Sequence, residues 1–360
     1  MISTILAIGD QHFTTKNVKE IEMFIDVVSK IALEVKPDII VLLGDLLHTH
    51  EKIHTVPLNY AYTFIKKMRD IAKTYVLVGN HDYINASQFL TDSHWLNSLK
   101  EWDNLVVVDA VKTCMIDDHN LLVFSPYVEP ERFVEALDTI ENWKEASIIF
   151  GHQEFFGCNM NGNYVSNQGK WDLNYPQVIS GHIHTKQHLQ KNIYYTGSSM
   201  ETEWKDVDSE KDGYNTIAVV RLAEDKTMEI EEKEIRLNRK LKVHLKIEDL
   251  ENFVVPEENK DDQIRVQISG ILYEEFNTLK ETSKYKELLA KDVKIDFEFN
   301  KKEIKVNNEK LQTLINEDVS DFRTLMESVK ESRKDPYYHE IYELVMNDRV
   351  VKAEDILILT

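Results

Sequence analysis

Five times along this chain an apolar run ends in glycine and is followed at once by side chains that bind cations or protons. Residues 3–8 (STILAI) lead to Gly9-Asp10-Gln11-His12, and the run in DIIVLLGD (38–45) leads to Gly44-Asp45-Leu46-Leu47-His48. Residues 75–78 (YVLV) lead to Gly79-Asn80-His81-Asp82, and two later runs lead to Gly151-His152 and to Gly181-His182-Ile183-His184. Polar groups at the end of a buried strand are costly to desolvate unless something there uses them. Continuous apolar runs of this kind belong to strands covered on both faces. Open α/β sheets bind ligands outside the carboxyl ends of such strands, and glycine lets the backbone turn sharply and approach closely there.

Between these runs the period changes. Residues 17–36 carry apolar positions at 21, 24, 25, 28 and 31, the spacing of a helix, and 57–73 repeats it. Further strands are expected at 105–109, 121–124, 147–150, 177–180 and 193–196, a helix over 130–143, and a closing hairpin from 214–221 and 227–236. The alternation predicts a layered α/β domain over residues 1–237. After about Asn238 the texture shifts: 240–247 and 263–270 alternate, 273–292 reads as a helix, and 293–300 alternates again. This β-β-α-β unit predicts a small α+β domain over 238–300. Residues 301–360 read as a helical tail, two short amphipathic helices around Pro336.

Composition narrows the setting. Hydrophobic residues make up 42% of 360, ordinary for a globular protein, and no apolar stretch approaches the length of a membrane span. The N-terminus lacks a basic region before its apolar run, which reads as a first strand and not as a signal peptide. Cys114 and Cys158 make no disulfide framework and no zinc spacing, so a cytoplasmic setting is expected, with both thiols packing. The formal net charge of −20 argues against nucleic acid, unless divalent cations invert the local field.

The donor types say what the strand ends bind. Asp10, Asp45, Asn80, His12, His152, His182 and His184 offer carboxylate, amide and imidazole but no thiolate, which suits manganese, iron or zinc. Seven ligands exceed one open site but suit two ions about 3.5–4 Å apart with a carboxylate between them. Asp45, on the most buried run, is the natural bridge. Singly, each motif has a bland explanation: Asp-x-His as a surface loop, Asn-His-Asp as a hydrogen-bonded turn. Five in order, each after glycine, do not.

The ordered set GDQH, GDLLH, GNHD, GH and GHIH resembles the calcineurin-like metallophosphoesterases over residues 3–222. Within them it looks closest to the SbcD-type nuclease subunits (the meiotic-recombination-eleven family), especially the phage recombination endonuclease subunit. His48 three residues after Asp45, the segment YYTGSSMETEW (194–204) and the order of the later domains carry that likeness. One departure is Phe13-Thr14, where relatives commonly have Leu-Gly. The resemblance implies a metallophosphoesterase sandwich with a small capping domain and C-terminal helices. It implies Asp10, His12, Asp45 and His184 around one ion and Asp45, Asn80, His152 and His182 around the other, most readily manganese. His81 would act on the scissile phosphate, His48 would place the phosphate or His81, and Asp82 would orient His81. The function implied is a DNA exo- and endonuclease subunit in recombination, break repair or phage replication. It would form a homodimer within a heterotetramer with an SbcC-like coiled-coil ABC ATPase, and no membrane. The tail face of Leu311, Leu314, Ile315, Phe322, Leu325 and Met326 would dock on that coiled coil. A phosphatase or cyclic-nucleotide phosphodiesterase fits the same scaffold; a tethering subunit with a vestigial site would not need so complete a donor set. Two small basic clusters, Arg239, Lys240 and Lys242, and Lys301, Lys302 and Lys305, make no broad stripe for DNA.

Overall fold

The computed structural model describes residues 2–50, 52–160, 164–201, 215–238, 240–255, 263–271 and 276–299. The expected tail helices, with Leu311 to Met326, lie outside these, as do Arg239 and Lys301, Lys302 and Lys305. The chain divides into two compact units, Met1–Val243 with Pro256–Arg265, and His244–Val255 with the residues from Val266 on.

The first unit is a sandwich of two six-stranded sheets. In the first sheet β1 (Ile2–Ile8), β2 (Ile39–Leu42), β3 (Lys73–Leu77) and β4 (Leu105–Val108) run parallel. β11 (Asn215–Ala223) and β12 (Met228–Ile235) extend the β1 edge antiparallel. In the second, β6 (Leu121–Phe124), β7 (Ile148–His152), β8 (Gln177–Gly181) and β10 (Ile193–Tyr195) are parallel. Antiparallel edges are added by β5 (Lys112–Met115) and β9 (Gln187–Gln190).

Successive strand residues face opposite ways, so each apolar run feeds two cores. On β1, Leu6 and Ile8 pack under α1 (Val18–Val35) and α2 (Thr55–Ile71), with Phe24, Val28, Phe64 and Met68. Ile5 and Ala7 face inward, where Val41, Leu43, Tyr75 and Leu77 meet Leu122, Phe124, Ile148 and Phe150 of the other sheet. Tyr75 stacks on Phe124 at 4.0 Å and Phe124 on Phe150 at 5.6 Å, so aromatic faces join the two sheets. The outer face of the second sheet, through Val123, Ile149, Val178 and Tyr195, is covered by Phe133, Trp143, Phe155 and Trp171.

Three expectations change. The helix over 130–143 is a 3₁₀ turn at Pro130–Arg132, a short α3 (Phe133–Leu137) and another 3₁₀ turn at Trp143–Glu145. Thr139 Oγ1 bonds the Ala136 carbonyl and Asn142 takes a left-handed φ of 62°, so local polar competition ends the helix and turns Trp143 into the core. Strands β5 and β9 were not expected, being short, polar edge strands. The 273–292 helix divides at Thr282, which leaves helical geometry and caps the next turn by accepting from Tyr285 N–H. A separate three-stranded sheet has β14 (Gln263–Ile271) between β13 (Lys240–Lys246) and β15 (Lys294–Phe299), and α4 (Phe276–Glu281) and α5 (Ser283–Ala290) precede β15. Among the described residues no helix is long and apolar enough to cross a membrane.

Phe150 is fully buried between the sheets. Phe150→Ala should destabilise the sandwich by about 3–5 kcal/mol, read from the denaturant midpoint. A cost below about 1 kcal/mol would mean that this interior is loosely packed.

Candidate metal centre

All five motif loops leave the carboxyl ends of parallel strands, three from the first sheet (β1, β2, β3) and two from the second (β7, β8). The first two zip together: His12 N–H donates to the Asp45 carbonyl (2.9 Å) and Phe13 N–H to the Leu46 carbonyl (2.8 Å). Phe13, the departure noted in sequence, is buried edge-on against Phe24 and Phe64, so it anchors this loop to the helices.

The backbone is strained where the donors sit. Asp10, His12, Asp45 and His182 have φ of 42°, 46°, 52° and 78°. Left-handed geometry costs a non-glycine residue about 1–3 kcal/mol and persists only where surroundings enforce it. The preceding glycines mainly supply room. A Cβ on Gly79 would overlap Asp45 Oδ1, and one on Gly44 (φ 102°) would lie 2.6 Å from His152 Nδ1.

The donor atoms converge accordingly. Asp45 Oδ2 lies 3.6 Å from His12 Nε2 and 3.3 Å from His152 Nε2, while its Oδ1 accepts from His81 N–H at 2.8 Å. His12 Nε2 and His184 Nε2 are 3.0 Å apart. Asn80 Oδ1 lies 3.0 Å from His152 Nε2 and 2.8 Å from His182 Nδ1. Asp10 accepts the His182 N–H on both oxygens, at 2.9 and 3.1 Å. Three groups of ligand atoms result: Asp10, His12 and His184; Asp45, His152 and His182; and His12, His48 and His81.

The protonation pattern suits cations. His152 Nδ1 sits 2.7 Å from the Leu43 carbonyl, which fixes its proton there and leaves Nε2 facing Asp45 and Asn80. Burial works to raise the Asp45 carboxyl, but His152 outweighs it and holds it well below the usual range. Burial works to lower His152, and Asp45 overcomes it, to about 9. Burial, followed by His152, lowers His182 to about 3, and burial keeps His12 low. Burial raises Asp10 to about 6, opposed by His152 and His184. Closely facing imidazoles, of which His12 and His182 stay neutral, together with two sealed carboxylates are a donor set that fits divalent ions.

Around this centre His81 Nδ1 meets the His48 carbonyl at 2.7 Å, and its ring stacks on His48 (5.6 Å) and on His50 (4.5 Å). Asp82 differs from expectation. The Gly79–Asp82 turn swings its carboxylate back, so Oδ2 accepts from Asp45 N–H (2.8 Å) and Gly79 N–H (3.1 Å) and Oδ1 from the Trp95 indole (2.8 Å). It braces the Asp45 loop, and the His48 carbonyl orients His81. Burial, then Asp45, raises the Asp82 carboxyl to about 6.

Sequence reasoning passed over two residues here. His50 follows His48 by two residues and, like it, stacks on His81; the His-x-His spacing was the legible signal. Tyr127, whose ring lies 5.3 Å from His182, follows β6 without a glycine to mark it. Cys158 is buried packing, as expected, and Trp171 lies in the same core. His188 lies exposed on β9 against Tyr194.

The family profile described as calcineurin-like phosphoesterase matches residues 3–186. The protein named "Putative phosphoesterase 244L" of Invertebrate iridescent virus 6 is 48% identical over 200 residues, 55% of this chain and 70% of that protein. The one named "Putative phosphoesterase 078R" of Invertebrate iridescent virus 3 is 39% identical over 302 residues, 82% of this chain and 84% of that protein. A solved E. coli phosphoesterase, Yfce, is similar over 65% of this chain and all of its own, at 12% identity and a TM-score of 0.32, too remote to argue from. With that profile over half its length, this chain belongs to the calcineurin-like phosphoesterases, metal-dependent hydrolases built on this α/β sandwich.

Proposed function

We propose that the chain is a manganese-dependent DNA exo- and endonuclease subunit, hydrolysing phosphodiesters in recombination, break repair or phage replication. It would act in the cytoplasm as a homodimer within a heterotetramer with an SbcC-like coiled-coil ABC ATPase. The observation that carries the chemistry is His81, tethered through Nδ1 to the His48 carbonyl beside a seven-donor centre. That tether leaves the far ring nitrogen for the substrate. The DNA substrate and the partner rest on the SbcD-type resemblance, including His48 and the β-β-α-β unit.

Asp10, His12, Asp45 and His184 would hold one ion, and Asp45, Asn80, His152 and His182 the other. When bound, two such ions supply an acidified water and a clamp for phosphate oxygens. The chain's own groups do the rest. His152 is aimed by the Leu43 carbonyl, and Asp45 is shared between the halves of the centre. Asp82 fixes the loop that carries Asp45. Cleavage of a phosphodiester leaves charge on a departing sugar oxygen, and protonated His81 neutralises it. His48, stacked on His81, places that ring or the phosphate. The same centre would serve a phosphatase or cyclic-nucleotide phosphodiesterase, and the net charge of −20 favours that second reading for the chain acting alone.

His81→Ala should cut manganese-dependent degradation of end-labelled linear duplex DNA about 10²–10⁴-fold while both ions still bind. Activity within a few-fold of wild type would remove His81 from the chemistry. No DNA cleavage by wild type with or without the ATPase, beside brisk hydrolysis of a small phosphodiester, would move the substrate to the second reading.

Asp45→Asn should weaken both ions together, seen as manganese stoichiometry dropping below one per chain. One ion kept at wild-type affinity would show that Asp45 is not shared. His152 holds a proton to about pH 9 without metal, and a ligand must give it up. Binding at pH 7.5 should therefore release about one proton from this group, and affinity should climb with pH and level off above about 9. Titration calorimetry in buffers of different ionisation enthalpy reads this directly; no proton release would exclude His152 Nε2 as a ligand.

A further inference from the structure

Among the described residues, Tyr127 is the aromatic side chain built against the second half of the centre that the mechanism above leaves unused. Ser125-Pro126 carry the chain from β6 to it, and that segment is pinned on both sides. Tyr127 N–H donates to the Val78 carbonyl (2.8 Å), two residues before Asn80, and the Pro126 carbonyl accepts from Gln153 Nε2 (3.0 Å), next to His152. The ring lies 5.3 Å from that of His182 and 6.1 Å from that of His152. Its position is therefore fixed by the same strand ends that carry Asn80, His152 and His182.

The hydroxyl has no evident structural use. Tyr127 is only 8% exposed, yet among the described residues its hydroxyl makes no hydrogen bond. Buried tyrosines ordinarily find a partner for that group. The Tyr83 hydroxyl is also unpartnered, but it is sealed from solvent, whereas that of Tyr127 is not. An O–H donor without a protein acceptor, beside a half-buried His182, is available to a ligand.

The centre is asymmetric without it. His48 and His81 gather around His12, on one flank. On the other flank Asn80 Oδ1 faces His152 Nε2 and His182 Nδ1. As ligands these residues would keep only the Asn80 amide N–H and the His182 Nε2–H as donors, and no side chain outside the ligand set but Tyr127 stands ready there among the described residues. A phosphate ester spanning the centre needs donors at both ends.

We propose that Tyr127 is a substrate-contacting residue, its phenol donating a hydrogen bond to a phosphoryl oxygen on the Asn80–His152–His182 flank. This rests on the reading of the centre as a phosphate-ester site. Tyr127→Phe keeps the ring and loses no bond within the protein. In the manganese-loaded full-length chain it should lower affinity for inorganic phosphate roughly 10-fold, as loss of a hydrogen bond to a charged group does. kcat/KM on a small aryl phosphodiester should fall by a similar factor. Manganese stoichiometry and the thermal midpoint should stay at wild-type values. Phosphate affinity and kcat/KM both within twofold of wild type would overturn the proposal and leave the phosphoesterase reading intact. A lost manganese ion in Tyr127→Phe would also overturn it, by showing that the ring only supports the ligands. Wild-type protein that binds manganese but neither phosphate nor ester would overturn the proposal and the reading together.

Discussion

The centre depends on how one carboxylate is buried. Asp45 is sealed from solvent, with Oδ2 between His12 and His152 and Oδ1 on the His81 amide. Its own amide donates to Asp82. A buried carboxylate without such partners would pick up a proton instead of keeping its charge. Here His152 holds it ionised, and in return it keeps His152 protonated to about pH 9 in the absence of metal. The pair is a proton-charged version of a cation site: what a divalent ion displaces is one proton, and the carboxylate geometry is already set.

Closeness on this scale requires that nothing else occupy the space. Gly44 and Gly79 bring two strand-end loops into backbone contact, and a methyl group at either would meet His152 or Asp45. The left-handed backbones of Asp10, Asp45 and His182 are the complement. Each turns a side chain inward right after its strand ends, at a cost met by the cores on both sides of the strands. Since three donor loops come from one sheet and two from the other, the aromatic contact of Tyr75, Phe124 and Phe150 also sets how closely the donors of the two sheets approach.

Much of this was legible because the same runs are apolar on both faces. A strand feeding two cores leaves a continuous apolar signature, and the residues that follow it stand out by contrast. Short polar edge strands such as β5 and β9 leave no such mark. The 130–143 segment has helical periodicity, but Thr139 and Asn142 offer the backbone other bonds, and Trp143 gains more by packing on Trp171 and Tyr175. Asp82 misled through adjacency. Beside His81 in sequence, its carboxylate is carried by a tight turn to Gly79, Asp45 and Trp95. Tyr127 was invisible because an aromatic residue after a strand is usually core, and its ring is core; only the unpartnered hydroxyl sets it apart.

The charge balance follows from the same carboxylate. A chain with a net charge of −20 presents a field of the wrong sign to any anionic ester. Without metal, Asp45 and His152 nearly cancel, so the centre offers a phosphate little attraction. Loading with two divalent ions brings more positive charge than Asp10 and Asp45 neutralise, inside a low-dielectric cradle where it acts strongly. With ions in place, the acidity of the rest of the chain would repel a phosphate everywhere but at the loaded centre. Ions held by these residues would thus draw an anionic ester to the centre as well as supply the chemistry of its cleavage.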